Sequence, residues 1–188
     1  MVGRFSFLGD FMYTGMSMFL SASSVNEHKD YLSSLKCKAG IWQKDGVDIE
    51  KMSEREIFSL PFTRKEREEL LSLKKEIKMH ELYFDSFRPS YAPSQTVKSQ
   101  FGSENNFAYL LSKEAENIRI GFLCVYKDSR GCIGFCHEEK LYGRVTPVLT
   151  LDLSEHAYFR DYGFRKDKYV RGAIAHLNLS NLEDEKTK

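Results

Sequence analysis

Asp152 and His156 are the two residues whose types and spacing most directly indicate chemistry. They lie four residues apart, where a predicted strand gives way to a predicted helix. A strand end followed by a helical turn can direct both side chains towards one point. A carboxylate oxygen together with an imidazole nitrogen suits iron, manganese or zinc. The alternative interpretation is an ordinary helix cap with a histidine nearby.

His80 is a third possible ligand, on the inward-facing stripe of a long predicted helix. The segment Thr63-Arg64-Lys65-Glu66 has the capping-box pattern that begins a helix, and the helix must end before Pro89. Apolar and aromatic residues recur along it at spacings of three and four residues, at Leu70, Leu73, Ile77, His80 and Phe84. A lone histidine in such a stripe is more often a hydrogen-bonded core residue than a ligand, so both interpretations stay open.

The remaining elements divide the chain into a helical part and a part that contains strands. A helix is predicted over residues 26–35, and five residues are spaced for one helical face: Val25, His28, Tyr31, Leu32 and Leu35. The segment Arg88–Ser94, with two prolines, is the best candidate for a linker. Beyond it we predict a helix over 103–116, strands over 118–126, 132–137 and 145–153, and helices from about 155 and over 166–177. Helices followed by a small antiparallel sheet with flanking helices predict an α+β fold.

Composition excludes several classes of protein. The formal net charge is +1, from 28 basic and 27 acidic residues, so there is no electrostatic footprint for nucleic acid. The apolar run Phe11–Leu20 is far shorter than the ~18–20 residues that span a bilayer, and it lacks the basic flank of a secretory signal, which favours a buried helix. Four cysteines without a C-x-x-C pair are expected to be buried free thiols in a reducing cytoplasm.

Four segments carry a resemblance to a known family. Thr150–Tyr162 is similar to the signature D-V-W-E-H-A-Y-Y followed by an aspartate-tyrosine pair, and Met79–Phe84 is similar to N-H-x-x-Y-W/F. Phe101–Phe107 resembles F-G-S-F-x-x-F, and Glu27–Leu35 resembles H-H-x-x-Y-V-x-N-L. The matches occur in the family order from about residue 23 to about residue 177. On these motifs the chain is identified as a divergent member of the iron/manganese superoxide dismutase family.

The resemblance implies an N-terminal α-helical hairpin domain, residues 1–88, packed on a C-terminal α/β domain, residues 89–188, with a three-stranded antiparallel sheet. One Fe or Mn per chain would lie between them, bound by three histidines, one aspartate and a water. His80, Asp152 and His156 fall on ligand positions. The implied reaction converts superoxide to oxygen and hydrogen peroxide while the metal cycles between +2 and +3.

Three further residues match positions around the metal. Tyr31 matches a tyrosine whose hydroxyl orients water beside the metal. His137, fifteen residues before Asp152, falls near an outer position that donates a hydrogen bond to the metal-bound solvent; the alternative is an exposed histidine at a strand end. Glu155 matches a glutamate that bonds the partner subunit across a homodimer, and the alternative is an acid favoured by the helix dipole.

The fourth ligand position does not match. The family has a histidine eight residues before the tyrosine that Tyr31 matches, and Ser23 stands there. His28 lies five residues further on, about 140° around a helix. We therefore do not expect His28 to replace the lost ligand unless the helix is reorganised.

Other departures lie near the same site. Glu27 and Phe159 replace the histidine and the tyrosine of a gateway pair, Ser154 replaces a tryptophan, and Glu76 stands where an outer residue is expected. Two hypotheses follow. The chain is a superoxide dismutase with an altered set of ligands, or a non-catalytic relative that keeps the fold as a scaffold or interaction module.

Overall fold

A computed structural model describes residues 15–43, 46–87, 93–141 and 145–183. The chain divides into two compact units, one of residues 26–81 and one of residues 1–25 with 82–188. The predicted domain boundary between residues 88 and 89 lies outside the described residues and stays a prediction. Among the described residues, no helix combines the length and apolar character needed to cross a membrane.

Three helices form the first unit and its flanks: α1 Ala22–Gln43, α2 Glu54–Ser59 and α3 Arg64–Asp85. The predicted capping box begins α3. The Thr63 amide donates to the Glu66 carboxylate over 2.7 Å, and the Glu66 amide donates to the Thr63 hydroxyl over 3.3 Å. The helix predicted over residues 26–35 is present but longer, because α1 continues on both sides of that range.

An apolar cluster holds this helical unit together. Its buried members are Leu35, Ala39, Val47, Ile49, Ile57, Leu70 and Ile77. The predicted stripe of α3 supplies two of them, and His80 lies on the same stripe, 1% exposed. Burial of this stripe against α1 and α2 fixes the rotation of α3 about its own axis.

In the second unit, helices precede and follow the strands of a sheet along the chain. Its elements are α4 Gln95–Phe101, α5 Glu104–Glu116, β1 Phe122–Lys127, β2 Ile133–His137, β3 Thr146–Asp152, α6 Glu155–Tyr162 and α7 Lys166–Ala175. The strand order is β2-β1-β3, with both pairings antiparallel. The predicted α+β class, with helices first and then a three-stranded antiparallel sheet, is confirmed.

Two details differ from the sequence predictions. The apolar N-terminal run contains only a short 3₁₀ helix, Met16–Met18, among its described residues, although Phe19 and Leu20 are buried as expected. All four cysteines are free, but only Cys124 is buried, so the prediction of buried thiols is wrong for Cys37 and Cys132. Cys132 is exposed because it ends the tight turn just before β2 begins.

Candidate metal centre

The end of β3 brings Asp152 and His156 together. Asp152 is the last residue of β3 and is fully buried, and His156 lies in the first turn of α6. Their atoms Oδ2 and Nε2 are 2.8 Å apart. The other carboxylate oxygen, Oδ1, accepts a hydrogen bond of 2.8 Å from the Ser154 amide. The backbone thus holds one oxygen, while the other meets the imidazole, as the spacing predicted.

Two buried tyrosines fix the backbone of Asp152. The Tyr169 hydroxyl donates to the Asp152 carbonyl over 2.8 Å, and the hydroxyls of Tyr83 and Tyr169 are 2.9 Å apart. Because the Tyr169 proton is used towards Asp152, Tyr83 must donate to Tyr169. Burial raises the pKa of Tyr83 and that of Tyr169, so both phenols keep the protons that this chain of hydrogen bonds requires.

The helical unit holds a second pair of candidate ligands, His28 on α1 and His80 on α3. Each is 1% exposed. Their ring centroids are 5.2 Å apart at an interplanar angle of 77°, and the Tyr31 ring is also 5.2 Å from the His80 ring. His28 was not expected to replace the lost ligand unless the helix is reorganised. It lies on the face of α1 that the apolar spacing predicted, and that face is buried with the His28 ring beside His80.

Glu76 sets the orientation of two neighbours. His80 Nδ1 lies 2.8 Å from the Glu76 carbonyl oxygen, and a carbonyl can only accept, so Nδ1 carries the proton and Nε2 keeps its lone pair. This arrangement leaves Nε2 as the nitrogen that can bind a metal. The Tyr31 hydroxyl donates to the Glu76 carboxylate over 2.5 Å. The predicted outer residue Glu76 therefore contacts both Tyr31 and His80.

Ser23, the residue at the unmatched ligand position, is exposed on α1. Its neighbour Ser24 is buried and receives a hydrogen bond from the Ser21 hydroxyl over 3.2 Å. Glu27 is exposed as well. The assignment of Ser23 as a lost ligand stays a prediction. Because Ser23 is exposed, it lies on a face of α1 that is turned away from the buried residues of this helix.

His137 has a contact for each ring nitrogen. Nε2 lies 3.0 Å from the Ile120 carbonyl oxygen, and Nδ1 lies 3.4 Å from the Glu139 carboxylate. The ring fits against Gly121, whose φ of 93° favours glycine and where an added Cβ would lie 2.8 Å from Nε2. His137 ends β2, as both interpretations require, but it is half-buried and not exposed, and its outer role in hydrogen bonding to metal-bound solvent stays a prediction.

Residues of α6 that the dimer prediction uses lie at the surface of the described chain. Glu155 is exposed in the first turn of α6. Phe159 is 45% exposed, and its ring packs edge-to-face on that of Phe164 with centroids 5.3 Å apart. Ser154, in place of the tryptophan, is buried, and its hydroxyl accepts a hydrogen bond of 3.2 Å from the Gly121 amide. The homodimer itself stays a prediction.

The sequence model for the C-terminal domain of iron/manganese superoxide dismutases matches residues 89–185. This range is half of the chain and contains Asp152 and His156. No curated protein matches the chain.

Proposed function

We propose that this chain, which belongs to the iron/manganese superoxide dismutase family, binds one Fe or Mn ion and converts superoxide to oxygen and hydrogen peroxide. The observation that carries the proposal is the pair of Asp152 and His156 inside the matched region, with Oδ2 and Nε2 2.8 Å apart. We further propose that His80 belongs to the same set of ligands, together with His28.

The donor set fits iron or manganese. Two ligands that each lie about 2.1 Å from an ion, at about a right angle, are about 3 Å from each other, close to the observed 2.8 Å. A buried carboxylate is stable when it is paired, hydrogen-bonded or bound to a metal, and fully buried Asp152 contacts His156 and the Ser154 amide. Carboxylate and imidazole together are ligands of both metals. Bound iron or manganese supplies one-electron redox chemistry by alternating between +2 and +3.

The chain's own residues orient these ligands. The Ser154 amide and the Tyr169 hydroxyl hold Asp152 from its side chain and its carbonyl. The Glu76 carbonyl holds the proton of His80 on Nδ1. The reaction consumes two protons for every two superoxide ions, and Tyr31 is the protonated hydroxyl that Glu76 directs beside His80. We propose that Tyr31 uses this hydroxyl to orient water beside the metal.

We also propose a homodimer formed through α6, and a reducing compartment such as the cytoplasm. The exposed ring pair of Phe159 and Phe164, beside Glu155, offers apolar surface for a second subunit. The exposed thiols of Cys37 and Cys132 suit a reducing environment. Superoxide is the only substrate proposed, and neither nucleic acid nor a membrane is a proposed partner.

A second candidate function is that of a non-catalytic scaffold or interaction module. It is favoured by the same exposed aromatic pair and by exposed Ser23 at the unmatched ligand position. The two candidates differ in two measurable quantities, the metal content of the purified chain and its superoxide-dependent activity.

The test is metal content together with superoxide-dependent activity. Protein from metal-replete expression should carry close to one Fe or Mn per chain by elemental analysis. Asp152→Asn should lower metal affinity by roughly tenfold or more, while Asp167→Asn, an exposed aspartate paired with Arg171 on α7, should leave it unchanged. Metal-free wild-type protein without activity would overturn the proposal. Metal-loaded but inactive protein would favour the second candidate.

A further inference from the structure

We infer that His28 is an imidazole ligand of the same ion as His80, and that the ligand of α1 has moved to it from the position of Ser23. The inference rests on the proposed function, since it concerns the metal that the proposed reaction uses. It departs from the family pattern, in which the ligand lies eight residues before the tyrosine matched by Tyr31. In this chain the spacing between ligand and tyrosine becomes three residues.

The burial stripe of α1 selects His28 and leaves out Ser23. Buried positions recur at Ser24, Val25, His28, Leu35 and Ala39, with Tyr31 and Leu32 half-buried between them. Positions three and four residues apart lie on one face of a helix. Ser23 is five residues before His28, which places it about 140° around the helix, and it is exposed. A ligand must come from the inward face, and His28 is the histidine on it.

The rings of His28 and His80 are already neighbours. Their centroids are 5.2 Å apart, with the edge of one towards the face of the other, and both side chains are 1% exposed. His80 keeps the lone pair of Nε2 because the Glu76 carbonyl engages Nδ1. Two imidazoles at this separation, one of them with its tautomer fixed by the helix, are placed as two ligands of one ion.

Tyr31 supports the same face. It lies three residues after His28, its ring is 5.2 Å from the His80 ring, and its hydroxyl donates to Glu76. The helix α1 therefore presents an imidazole and a phenol to α3 from successive turns. The rotation of α1 that directs Tyr31 towards His80 also directs His28 towards it, whereas the same rotation turns Ser23 outwards.

The experiment compares three variants of the full chain. His28→Gln should weaken Mn²⁺ binding by roughly tenfold or more, measured by competition with a chelator of known affinity. Asp30→Asn, an exposed aspartate two residues away on α1, is the matched control and should bind as the wild type does. Ser23→His should give no gain, because its side chain leaves from the exposed face. Circular dichroism of each variant checks that the helices are retained.

A second measurement keeps the inference testable if His28→Gln does not fold. Pulsed electron paramagnetic resonance of wild-type protein loaded with Mn²⁺ and labelled with ¹⁵N-histidine should report three coupled imidazoles. Two would overturn the inference while leaving the proposed function intact, as would equal Mn²⁺ affinity of His28→Gln and wild type, or a large gain for Ser23→His. Wild-type protein that binds no Mn²⁺ and no Fe²⁺ would overturn the proposed function and the inference with it.

Discussion

The end of β3 and the first turns of α1 present the proposed ligands in two different ways. Asp152 is held by a short segment of backbone, in which the Ser154 amide and the Tyr169 hydroxyl fix both its side chain and its carbonyl. His28 lies on the buried face of a long helix, with its ring beside that of His80. The position of a ligand at a strand end is fixed by local geometry. On a helix, a different residue of the buried face can take over as ligand while the fold stays the same.

The largest effect should come from breaking the packing that sets the helix faces. Leu70→Ala removes a fully buried side chain from the apolar cluster of α1, α2 and α3. It should lower the free energy of unfolding by about 2–5 kcal/mol, measured by urea denaturation. Ile41→Ala, at an exposed position of α1, is the control and should change stability by less than about 0.5 kcal/mol. Equal effects of the two variants would show that the cluster does not hold α1 in place.

An intermediate effect should come from the strand end. Tyr169→Phe removes the donor to the Asp152 carbonyl and leaves both that carbonyl and the Tyr83 hydroxyl short of a partner in a buried setting. It should cost about 1–3 kcal/mol of stability and weaken metal binding. Tyr109→Phe, an exposed tyrosine of α5, should be neutral in both assays. Unchanged metal affinity in Tyr169→Phe would mean that the hydrogen bond from Tyr169 to the Asp152 carbonyl does not contribute to metal binding.

The smallest effect is a pH dependence from the same two phenols. Burial raises the pKa of Tyr83 and Tyr169 in the folded chain, so the folded state binds their protons more tightly than the unfolded state does. Their contribution is complete below the unfolded-state pKa of about 10 and is lost as pH rises towards the folded values. Between pH 8 and pH 10 the two together should lower the free energy of unfolding by about 1 kcal/mol.

The double variant Tyr83→Phe/Tyr169→Phe isolates this contribution. Urea denaturation of wild type and variant at pH 8 and pH 10 should show a smaller loss of stability for the variant. Identical losses would assign the alkaline sensitivity to other groups.

Local signals were enough to predict the fold class and the contact between Asp152 and His156. The capping box at Thr63 and Glu66 located the start of α3. The strands predicted over 118–126, 132–137 and 145–153 correspond to β1, β2 and β3. The contact of Asp152 with His156 followed from their spacing at a strand end. Only four residues separate them, so the backbone between them can adopt few conformations.

The place of His28 beside His80 and the contacts of His137 could not be predicted in the same way. Counting from Tyr31 gave Ser23, and the count did not use the apolar spacing that places His28 on the inward face of α1. That face depends on packing against residues far away in sequence, such as Leu70 and Ile77. The contact of His137 with the Ile120 carbonyl was likewise hidden, since it depends on a positive φ at Gly121.

The anchoring of Asp152 has a consequence for the rate of metal exchange as well as for metal affinity. The Leu153 amide donates to the Gly121 carbonyl over 2.9 Å, directly after the residue whose own carbonyl receives the Tyr169 hydroxyl. A carboxylate fixed on both sides of its backbone cannot swing away from an ion while the strand end stays paired. Opening of such a paired, buried segment is rare. An ion once bound there would therefore exchange at the slow rate of strand opening, and the chain would keep its metal through dilution and brief exposure to chelators.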